Sequence, residues 1–502
     1  MGSKSKWNIS AAKNGNEFLN IEGFEYHKNK INFLFGESGI GKSLISKIIY
    51  GAAAEYGLEI KVNGVTYEKY LESDINKKIR KNGFFVFQEP STHLNPLEKI
   101  STQLTEGDLT SLRNETEIFN EISPGVSKTE TESILSVYPK TFRPSGGEKQ
   151  RILLTMALKK IKIYQSGSED AETLFVFDEP TGSLDNKMRN AFIDYLLITH
   201  SYKNFSAIFI THDYSIISYI ENRHKNLVQN ILYSELYKAK TLEFRKFDPA
   251  KYLNWIKERK NISKSKKVGN GDVVLQFDQG VEIFGKRLEF INFDGKKDER
   301  GLVIRAGDAV YLKAPSGTGK TTIAKIIMGI YSPEKASFTI AGLKSPKVNK
   351  HSFYKNKIWG RKAAMVFQNA DESLNLNSKV KNIFDGLPID KRDSEEFLKK
   401  NLSNFFDVTI INDFSEKKIS KLSGGQKQRL NIIRTMVLST PLIILDEPFN
   451  GLDFESIDKV IKMIDTLLSM KCGILLISHN EEIVETLVLP SNIYHLNSCS
   501  CQ

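Results

Sequence analysis

Two glycine-rich segments have the residue types and the spacing that bind phosphate groups. They read GESGIGKS at residues 36–43 and APSGTGKT at residues 314–321. Each follows an apolar run and precedes a helical pattern, so its backbone N–H groups and the start of the helix can face phosphate oxygens. We expect Lys42 and Lys320 to reach the terminal phosphates, and Ser43 and Thr321 to offer a hydroxyl group to Mg²⁺. The predicted nucleotide contacts of the two loops are Gly36, Ser38, Gly39, Gly41, Lys42, Ser43, Leu44, Ser316, Gly317, Gly319, Lys320, Thr321 and Thr322.

Paired acids follow an apolar strand pattern once in each half of the chain. LFVFDEP contains Asp178 and Glu179, and LIILDEP contains Asp446 and Glu447. Because an unpaired buried carboxylate is costly, the first acid of each pair needs a charge partner such as Mg²⁺ with ATP. The second acid can orient and deprotonate an attacking water molecule. For either pair alone, two solvated acids at an ordinary strand end would be the better interpretation.

A second anion-binding pattern, Ser-Gly-Gly at the start of a helical stretch, also occurs twice. It opens SGGEKQR at Ser145 and SGGQKQR at Ser423. Free N–H groups and the helix dipole face outward from such a start. The residues predicted to contact nucleotide here are Ser145, Gly146, Gly147, Ser423, Gly424, Gly425 and Gln426.

A histidine closes the set of motifs in each half. His212 stands in ITHD and His479 in ISHN, each directly after an apolar run. A histidine at a strand end is usually a surface residue or a satisfied core residue. These two, however, follow the second acid by 33 and 32 residues, and this match favours a functional interpretation.

The motifs recur in one order, which indicates a duplication. From the loop lysine to a glutamine, Gln88 or Gln368, is 46 residues in the first half and 48 in the second, and from the glutamine to the Ser-Gly-Gly serine is 57 and 55. From that serine to the second acid is 34 and 24 residues, an excess that we assign to a surface-loop insertion in IYQSGSEDAET. The apolar runs indicate buried parallel strands. We therefore predict an α/β protein with domains at residues 1–235 and 271–502, joined by a linker at residues 236–270.

The composition is that of a globular protein with two large domains. Of 502 residues, 40% are hydrophobic and 26% are charged, which argues against disorder. No apolar run reaches about 18 residues and the start is polar, so we expect neither a spanning helix nor a secretory signal, and a cytoplasmic location. Three cysteines exclude a disulfide framework. The net charge of +11 fits nucleic acid, an anionic membrane face or a Lys-rich proteome, and the last two are favoured.

Taken together, the phosphate loop, glutamine, SGG[QE]KQR, DEP and late histidine resemble the ABC ATPase family, over nearly the whole chain apart from the linker and tail. The resemblance implies two P-loop NTPase (ABC-type) domains, each a mainly parallel sheet with helices and a helical signature subdomain. It also implies that the two halves pair around two ATP molecules, each held by the loop of one half and the signature of the other. The first site would combine Lys42, Ser43, Gln88, Asp178, Glu179 and His212 with Ser423, Gly424 and Gly425. The second would combine Lys320, Thr321, Gln368, Asp446, Glu447 and His479 with Ser145, Gly146 and Gly147.

The same resemblance assigns roles to these residues. The Mg²⁺ ligands, directly or through water, would be Ser43, Gln88, Asp178, Thr321, Gln368 and Asp446. The catalytic residues would be the general bases Glu179 and Glu447 and the γ-phosphate contacts His212 and His479. The D-loop aspartates of the family correspond to Asp185 and Asp453.

Departures from the family pattern fall on the second site. They are Ala314, Pro144 and Glu148, and from them we hypothesise that this site hydrolyses ATP more slowly. An aromatic residue that stacks on adenine is harder to place. Trp7 and Phe284 stand 35 and 36 residues before the loop lysines, and for Phe284 packing in the core is favoured.

The segment VFQEPSTHLNPLEKISTQLTE around the first glutamine, with Tyr138-Pro139 before the first Ser-Gly-Gly, resembles the ATPases of oligopeptide, dipeptide and nickel importers. That resemblance implies two integral-membrane permease subunits, an extracellular substrate-binding protein and a peripheral place on the inner face of the cell membrane. The cargo would be peptides, nickel or a metal chelate. The His-Pro-Tyr-Thr segment common near the C-terminus of those ATPases does not follow His212.

A soluble tandem ABC protein that acts on ribosomes or nucleic acid is the alternative. The translation-factor branch typically has Asn-His-Leu-Asp after DEP and a long charged helical linker, whereas this chain has TGSLD and FNGLD and a short linker. A DNA-repair ABC protein would need long coiled-coil or zinc-bearing insertions, and the sequence contains neither. We therefore expect no nucleic acid partner.

Overall fold

The computed structural model divides the chain into two compact units, Met1–Tyr252 and Leu253–Gln502. It describes residues 4–53, 57–110, 114–139, 144–167, 172–238, 242–265, 271–292, 301–315, 317–346, 350–389, 394–406, 408 and 411–500. The predicted α/β class is confirmed, and both units contain parallel strands with helices between them.

The first unit alternates strands and helices in the order that the apolar runs predicted. Its strands are β1 (Lys4–Lys13), β2 (Asn16–His27), β3 (Ile31–Phe35), β4 (Glu59–Val62), β5 (Val65–Thr66), β6 (Phe84–Val86), β7 (Phe175–Asp178), β8 (Ala207–Ile210), β9 (Ile231–Lys238) and β10 (Leu242–Lys246). Its helices are α1 (Lys42–Tyr50), α2 (Tyr67–Glu72), α3 (Asp74–Asn82), α4 (Ile100–Gln103), α5 (Glu115–Glu121), α6 (Lys128–Leu135), α7 (Gly146–Ser166), α8 (Asn186–Tyr202) and α9 (Ser215–Arg223).

Two sheets organise the first unit. A six-stranded sheet has the order β10-β9-β3-β8-β7-β6, in which only β10 is antiparallel to its neighbour. A four-stranded antiparallel sheet has the order β2-β1-β4-β5. The core lies between them and around α1, with Ile9 and Ile21 from the second sheet, Ile48 from the helix, and Val176 and Ile208 from the first. Every residue of β3, β7 and β8 is buried, as expected of central parallel strands.

The boundary between the two units, at Tyr252 and Leu253, lies inside helix α10 (Pro249–Ser265). The strands of the second unit are β11 (Val273–Phe277), β12 (Val281–Ile283), β13 (Lys286–Asn292), β14 (Val303–Arg305), β15 (Ala309–Lys313), β16 (Phe338–Ile340), β17 (Leu343–Lys344), β18 (Ala363–Val366), β19 (Leu442–Asp446), β20 (Gly473–Ile477) and β21 (Ile493–Ser500). Its helices are α11 (Lys320–Ile327), α12 (His351–Phe353), which continues as a π-helical turn (Tyr354–Ile358), α13 (Ser394–Leu402), α14 (Ile411–Ser415), α15 (Gly424–Met436), α16 (Phe454–Ser469) and α17 (Glu481–Val484).

The five parallel strands of the large sheet and the four-stranded sheet recur in the second unit, whereas the antiparallel edge of the large sheet differs. A seven-stranded sheet has the order β12-β13-β21-β15-β20-β19-β18, parallel from β21 to β18. A four-stranded antiparallel sheet has the order β14-β11-β16-β17. The strands β19 and β20 are buried throughout. Two copies of one architecture therefore account for the repeated motifs.

The region predicted as a linker contains ordered elements. Between residues 236 and 265 the chain forms the end of β9, then β10 and α10. Within the second unit, Trp255 Nε1 donates to Asp458 Oδ1 at 2.8 Å, and Arg259 pairs with Asp465 at 2.7 Å. Residues 266–270 lie outside the described part, and the boundaries 1–235 and 271–502 remain predictions.

Two further features bear on the sequence analysis. The insertion predicted in residues 163–173 begins inside α7, which has 21 residues where its counterpart α15 has 13. Its first four residues are therefore helical rather than part of a surface loop. In the described part of the chain, no helix combines the length and the apolar character needed to cross a membrane.

Candidate functional site

The phosphate loop of the first unit joins the end of β3 to the start of α1. Gly36 and Gly41 have φ angles of 137° and 114°, which residues with a side chain rarely adopt. A Cβ atom at Gly36 would lie 2.5 Å from the Leu236 carbonyl oxygen on β9. The loop therefore passes so close to the neighbouring strand that only glycine fits at its first position.

The loop lysines lie back over their own loops in both units. The Lys42 ammonium group donates to the carbonyl oxygens of Gly36 and Glu37 at 2.6 and 2.8 Å. The Lys320 ammonium group donates to those of Ala314 and Pro315 at 2.5 and 3.2 Å. Alanine at position 314 thus leaves the tether of the lysine unchanged.

The remaining predicted loop residues lie around these lysines, with one exception. Ser38, Ser43, Thr321 and Thr322 are half-buried, Gly39 and Gly317 are exposed, and Leu44 packs against the first core. Gly317 and Gly319 repeat the positive φ angles of Gly39 and Gly41. Ser316 lies outside the described residues.

Oxygen atoms suited to a hard divalent cation meet at the end of each acid-bearing strand. In the first unit, Ser43 Oγ donates to Asp178 Oδ1 at 2.8 Å. In the second, both carboxylate oxygens of Asp446 are buried, and the Thr321 hydroxyl group lies beside them. Burial raises the pKa of both Asp178 and Asp446 to about 6. A cation with oxygen ligands, such as Mg²⁺, would compensate these carboxylates, and the residues present fit it.

The sheet register places the acids next to the histidines. Asp178 on β7 pairs with Ile210 on β8, and Asp446 on β19 pairs with Ile477 on β20. Because the strands are parallel, the glutamate that follows each aspartate and the histidine two residues beyond each isoleucine emerge at the same edge of the sheet. The predicted acid and histidine are therefore brought together in each unit.

Glu179 is held by two side chains. Gln88 Nε2 donates to its Oε2 at 3.0 Å, and His212 Nδ1 lies 3.4 Å from its Oε1. Burial alone would raise the pKa of Glu179, but His212 and Lys42 lower it to about 2. Burial alone would lower the pKa of His212, and the carboxylate raises it overall. Each side chain of the pair thus favours the charged form of the other.

Glu447 has a different environment. Its Oε2 accepts hydrogen bonds from Ser478 Oγ and from the His479 backbone N–H, both at 3.1 Å, and His479 Nε2 lies 3.5 Å from Oε1. Burial and the neighbouring Asp446 raise its pKa to about 7, although the two donors lower it. Gln368 is exposed, and no contact to Glu447 is found for it in the described residues.

Both glutamates have left-handed backbones, with φ of 46° at Glu179 and 50° at Glu447. This region is uncommon for residues other than glycine and costs of order 1–3 kcal/mol. The strained conformation occurs at the corresponding glutamate of both units. We infer that it positions the glutamate side chain at the end of the strand.

The two Ser-Gly-Gly segments begin helices, as predicted. Ser145 caps α7 and Ser423 caps α15, each through a capping box with the third residue of the helix, Glu148 or Gln426. The departure at Glu148 therefore serves the same local purpose as the glutamine of the other copy. The D-loop aspartates begin the next long helices: Asp185 caps α8 and Asp453 caps α16.

The family model described as ABC transporter matches residues 19–182 and residues 299–450, which is more than half of the chain. The chain belongs to the ABC transporter family. It is an ATPase of that family with two fused ABC domains, and it uses ATP with Mg²⁺ and couples ATP hydrolysis to transport.

Individual relatives agree with this assignment. The chain is 25% identical over 489 residues to the peptidoglycan transport ATP-binding protein YejF of Agrobacterium fabrum, covering 92% of this chain and 85% of the relative. It is 23% identical over 510 residues to the glutathione import ATP-binding protein GsiA of Salmonella choleraesuis, covering 90% and 77%. Among solved structures, the RNase-L Inhibitor is similar with a TM-score of 0.63 and 17% identity, covering 97% of this chain and 89% of that one. The last likeness shows the tandem fold alone.

The aromatic candidates of this ABC protein lie in contrasting places. Trp7 is buried in the first core, with its ring against those of Tyr26 and Tyr70. Phe284 is 70% exposed at the tip of the β12–β13 hairpin, 5.9 Å from the Tyr331 ring. The expectation that Phe284 packs in the core was wrong, because its positive φ places it in a tight turn.

Ser478 is a candidate site residue that the sequence did not single out. It stands directly before His479 and donates to Glu447. It also accepts a hydrogen bond from the Asn480 N–H, as Thr211 in the same place of the first unit does from the Asp213 N–H. A hydroxyl before the histidine in both ITHD and ISHN was the available signal.

Proposed function

We propose that this chain energises an ABC importer, docking on two integral-membrane permease subunits that receive cargo from an extracellular substrate-binding protein. The observation that carries the proposal is the duplicated site. Each unit brings a phosphate loop, an acid pair and a histidine to the carboxyl edge of one parallel sheet. Two such sites in one chain suit a membrane partner that also has two halves.

The proposed roles divide the chemistry among separate side chains. In the first unit, Lys42 would neutralise phosphate charge, Ser43 and Asp178 would hold Mg²⁺, and Glu179 would orient and deprotonate water. Bound Mg²⁺ supplies the positive charge that offsets the phosphate oxygens. Gln88 already positions Glu179, and His212 would contact the γ-phosphate. The corresponding residues of the second unit are Lys320, Thr321, Gln368, Asp446, Glu447 and His479. The pairing of each phosphate loop with the signature of the other unit rests on the family resemblance and remains part of the proposal.

A groove in the first unit supports docking of a membrane partner. It has a volume of about 290 Å³, and its lining includes Tyr50, Arg80, Phe85, Phe87 and His93. Phe87 directly precedes Gln88, so a group that enters the groove would press on the segment that positions Glu179. The apolar end of a short helix from a permease subunit fits a lining rich in aromatic rings. We therefore propose this groove as the permease contact of the first unit.

The proposed cargo is a peptide or a peptide-containing compound. The names of the relatives above refer to peptidoglycan and to glutathione, both of which contain peptide bonds. Nickel and metal chelates, also implied by the resemblance, have no comparable support. The proposed location is the cytoplasmic face of the cell membrane.

The proposal is tested by uptake in cells that lack this chain. A radiolabelled tripeptide should enter cells that carry the unmodified protein and should not enter cells that carry Lys42→Ala/Lys320→Ala. The matched control is Lys61→Ala/Lys459→Ala, which removes two exposed lysines and should restore uptake fully. Purified protein with both loop lysines replaced should lose ATP turnover, and the control should keep it.

Two results would overturn the proposal. Uptake restored by the double loop variant would show that ATP hydrolysis by this chain does not drive import. Co-sedimentation with ribosomes, without recovery of multi-spanning proteins from membranes, would instead support the soluble alternative.

A further inference from the structure

The segment between β17 and β18 in the second unit has an unusual charge pattern. Residues 345–362 include six basic residues and no acidic residue, and no acid occurs anywhere in residues 336–370. The corresponding segment of the first unit, residues 67–83 between β5 and β6, has five basic and three acidic residues. The duplication thus offers an internal comparison in which only the second copy is strongly positive.

The positive side chains point to solvent. Lys350, Lys355, Lys357 and Arg361 are all exposed, and we call these four residues the basic patch. Within the described part of the chain, no carboxylate lies within ion-pair distance of any of them. Lys357 Nζ lies 5.7 Å from the centroid of the Phe353 ring, and the positive charge of the patch is otherwise open to an anionic partner.

The patch is presented on a rigid support. Its apolar neighbours Tyr354 and Ile358 are buried in the second core, and Trp359 Nε1 donates to the Met328 carbonyl oxygen at 2.8 Å. The Tyr354 ring also packs on Gly329, where a Cβ atom would overlap it. Because one side of the π-helical turn is anchored in this way, Lys355 and Lys357 are held on the outer side.

The position of the segment points to the membrane. In the first unit the end of the corresponding segment, Arg80 and Gly83, forms one wall of the groove proposed to receive a permease. In the second unit Arg361 and Lys362 occupy the corresponding place, directly before β18. A surface next to a permease contact lies near lipid headgroups, and clustered basic residues bind anionic headgroups.

We propose that the basic patch contacts anionic phospholipid headgroups of the membrane that holds the permease. The inference rests on the proposed function, since docking on a permease is what would bring this surface to a bilayer in the cell. Each basic residue close to an anionic surface contributes roughly a fivefold change in affinity. Loss of three such charges should therefore weaken binding by about a hundredfold, and a tenfold loss is taken as the lower limit.

The test measures co-sedimentation of the purified full chain with vesicles. Vesicles of phosphatidylcholine with about one third phosphatidylglycerol should bind the protein, and vesicles of phosphatidylcholine alone should not. Lys355→Gln/Lys357→Gln/Arg361→Gln should bind at least tenfold more weakly, with unchanged ATP turnover. The matched control, Lys13→Gln/Lys61→Gln/Lys459→Gln, removes three exposed lysines outside both the basic patch and the groove segment, and it should lose less than threefold.

Several outcomes would overturn the inference. These are equal binding by the patch variant and the unmodified protein, an equal loss in the control, and binding that persists in about 0.5 M salt. Displacement from vesicles by inorganic phosphate at constant ionic strength would assign the patch to free anions, and binding of RNA but not of vesicles would assign it to nucleic acid. The salt and phosphate arms use the unmodified protein, so they decide the matter even if a variant misfolds.

Failure of vesicle binding together with intact peptide uptake would refute this inference alone. Uptake that no longer depends on the loop lysines would refute the proposed function.

Discussion

Alanine at Gly36 should disrupt the first phosphate loop, although alanine occupies the corresponding position 314. The added Cβ would lie 2.5 Å from the Leu236 carbonyl oxygen, and Gly36 has a φ of 137°. A backbone in this region costs a residue with a side chain of order 1–3 kcal/mol, and relief of the overlap adds to that cost. We expect about 3 kcal/mol of destabilisation, which lowers the Tm of a unit of this size by roughly 6–12 °C.

The assay for Gly36→Ala is calorimetry of the full chain together with ATP affinity. We expect the transition of the first unit to shift and ATP affinity there to fall at least tenfold, because β3 must move away from β9. The matched control is Ala314→Gly, which should cost at most about 1 kcal/mol through backbone entropy. A Tm within about 1 °C of the unmodified protein and unchanged ATP affinity for Gly36→Ala would refute the reasoning.

Three further predictions concern single side chains. In single-turnover assays, Glu179→Gln should lower ATP hydrolysis at least tenfold more than Glu447→Gln, because Gln88 and His212 flank only Glu179; equal residual rates would contradict it. Burial lowers the pKa of His200 to about 4. Between about pH 6.5 and pH 4 the unfolded state therefore binds a proton that the native state does not. The free energy of unfolding should fall by about 2 kcal/mol from pH 7.5 to pH 5. Denaturant titrations should show this loss reduced in His200→Gln. Arg259→Met should destabilise the second unit by about 1–2 kcal/mol, because Arg259 is buried and pairs with a partly exposed Asp465; a calorimetric transition unchanged from the unmodified protein would contradict this.

The motif positions and the fold class could be predicted because they follow from local pattern. The run LIIL at residues 442–445 is apolar at every position, and such a short run directly before two acids has few alternatives to a central strand. Because the motifs occur twice in the same order, two copies of the fold could also be predicted. The residues 236–265 were harder, because β10 and α10 contain no motif, and their charged faces resemble those of a linker.

Side-chain surroundings could not be predicted in the same way. Trp7 and Phe284 stand at nearly equal distances before their lysines, yet one lies in a core and the other at a hairpin tip. Burial depends on which strand the residue joins and on the turn beside it. A spacing along the chain does not contain that information.

Two of the three departures from the family pattern, Ala314 and Glu148, leave the local contacts of the second site as they are in the first. The Ala314 carbonyl oxygen tethers Lys320 as the Gly36 carbonyl oxygen tethers Lys42, and Glu148 closes a capping box as Gln426 does. The local consequence of these two departures is therefore small. The units differ instead at the glutamate: Glu179 faces side chains of Gln88 and His212, whereas Glu447 accepts two hydrogen bonds from the strand end at Ser478 and His479. A carboxylate fixed by its own sheet must give up those bonds before it turns to water, so a slower second site, if turnover shows one, originates at Glu447 rather than in its phosphate loop.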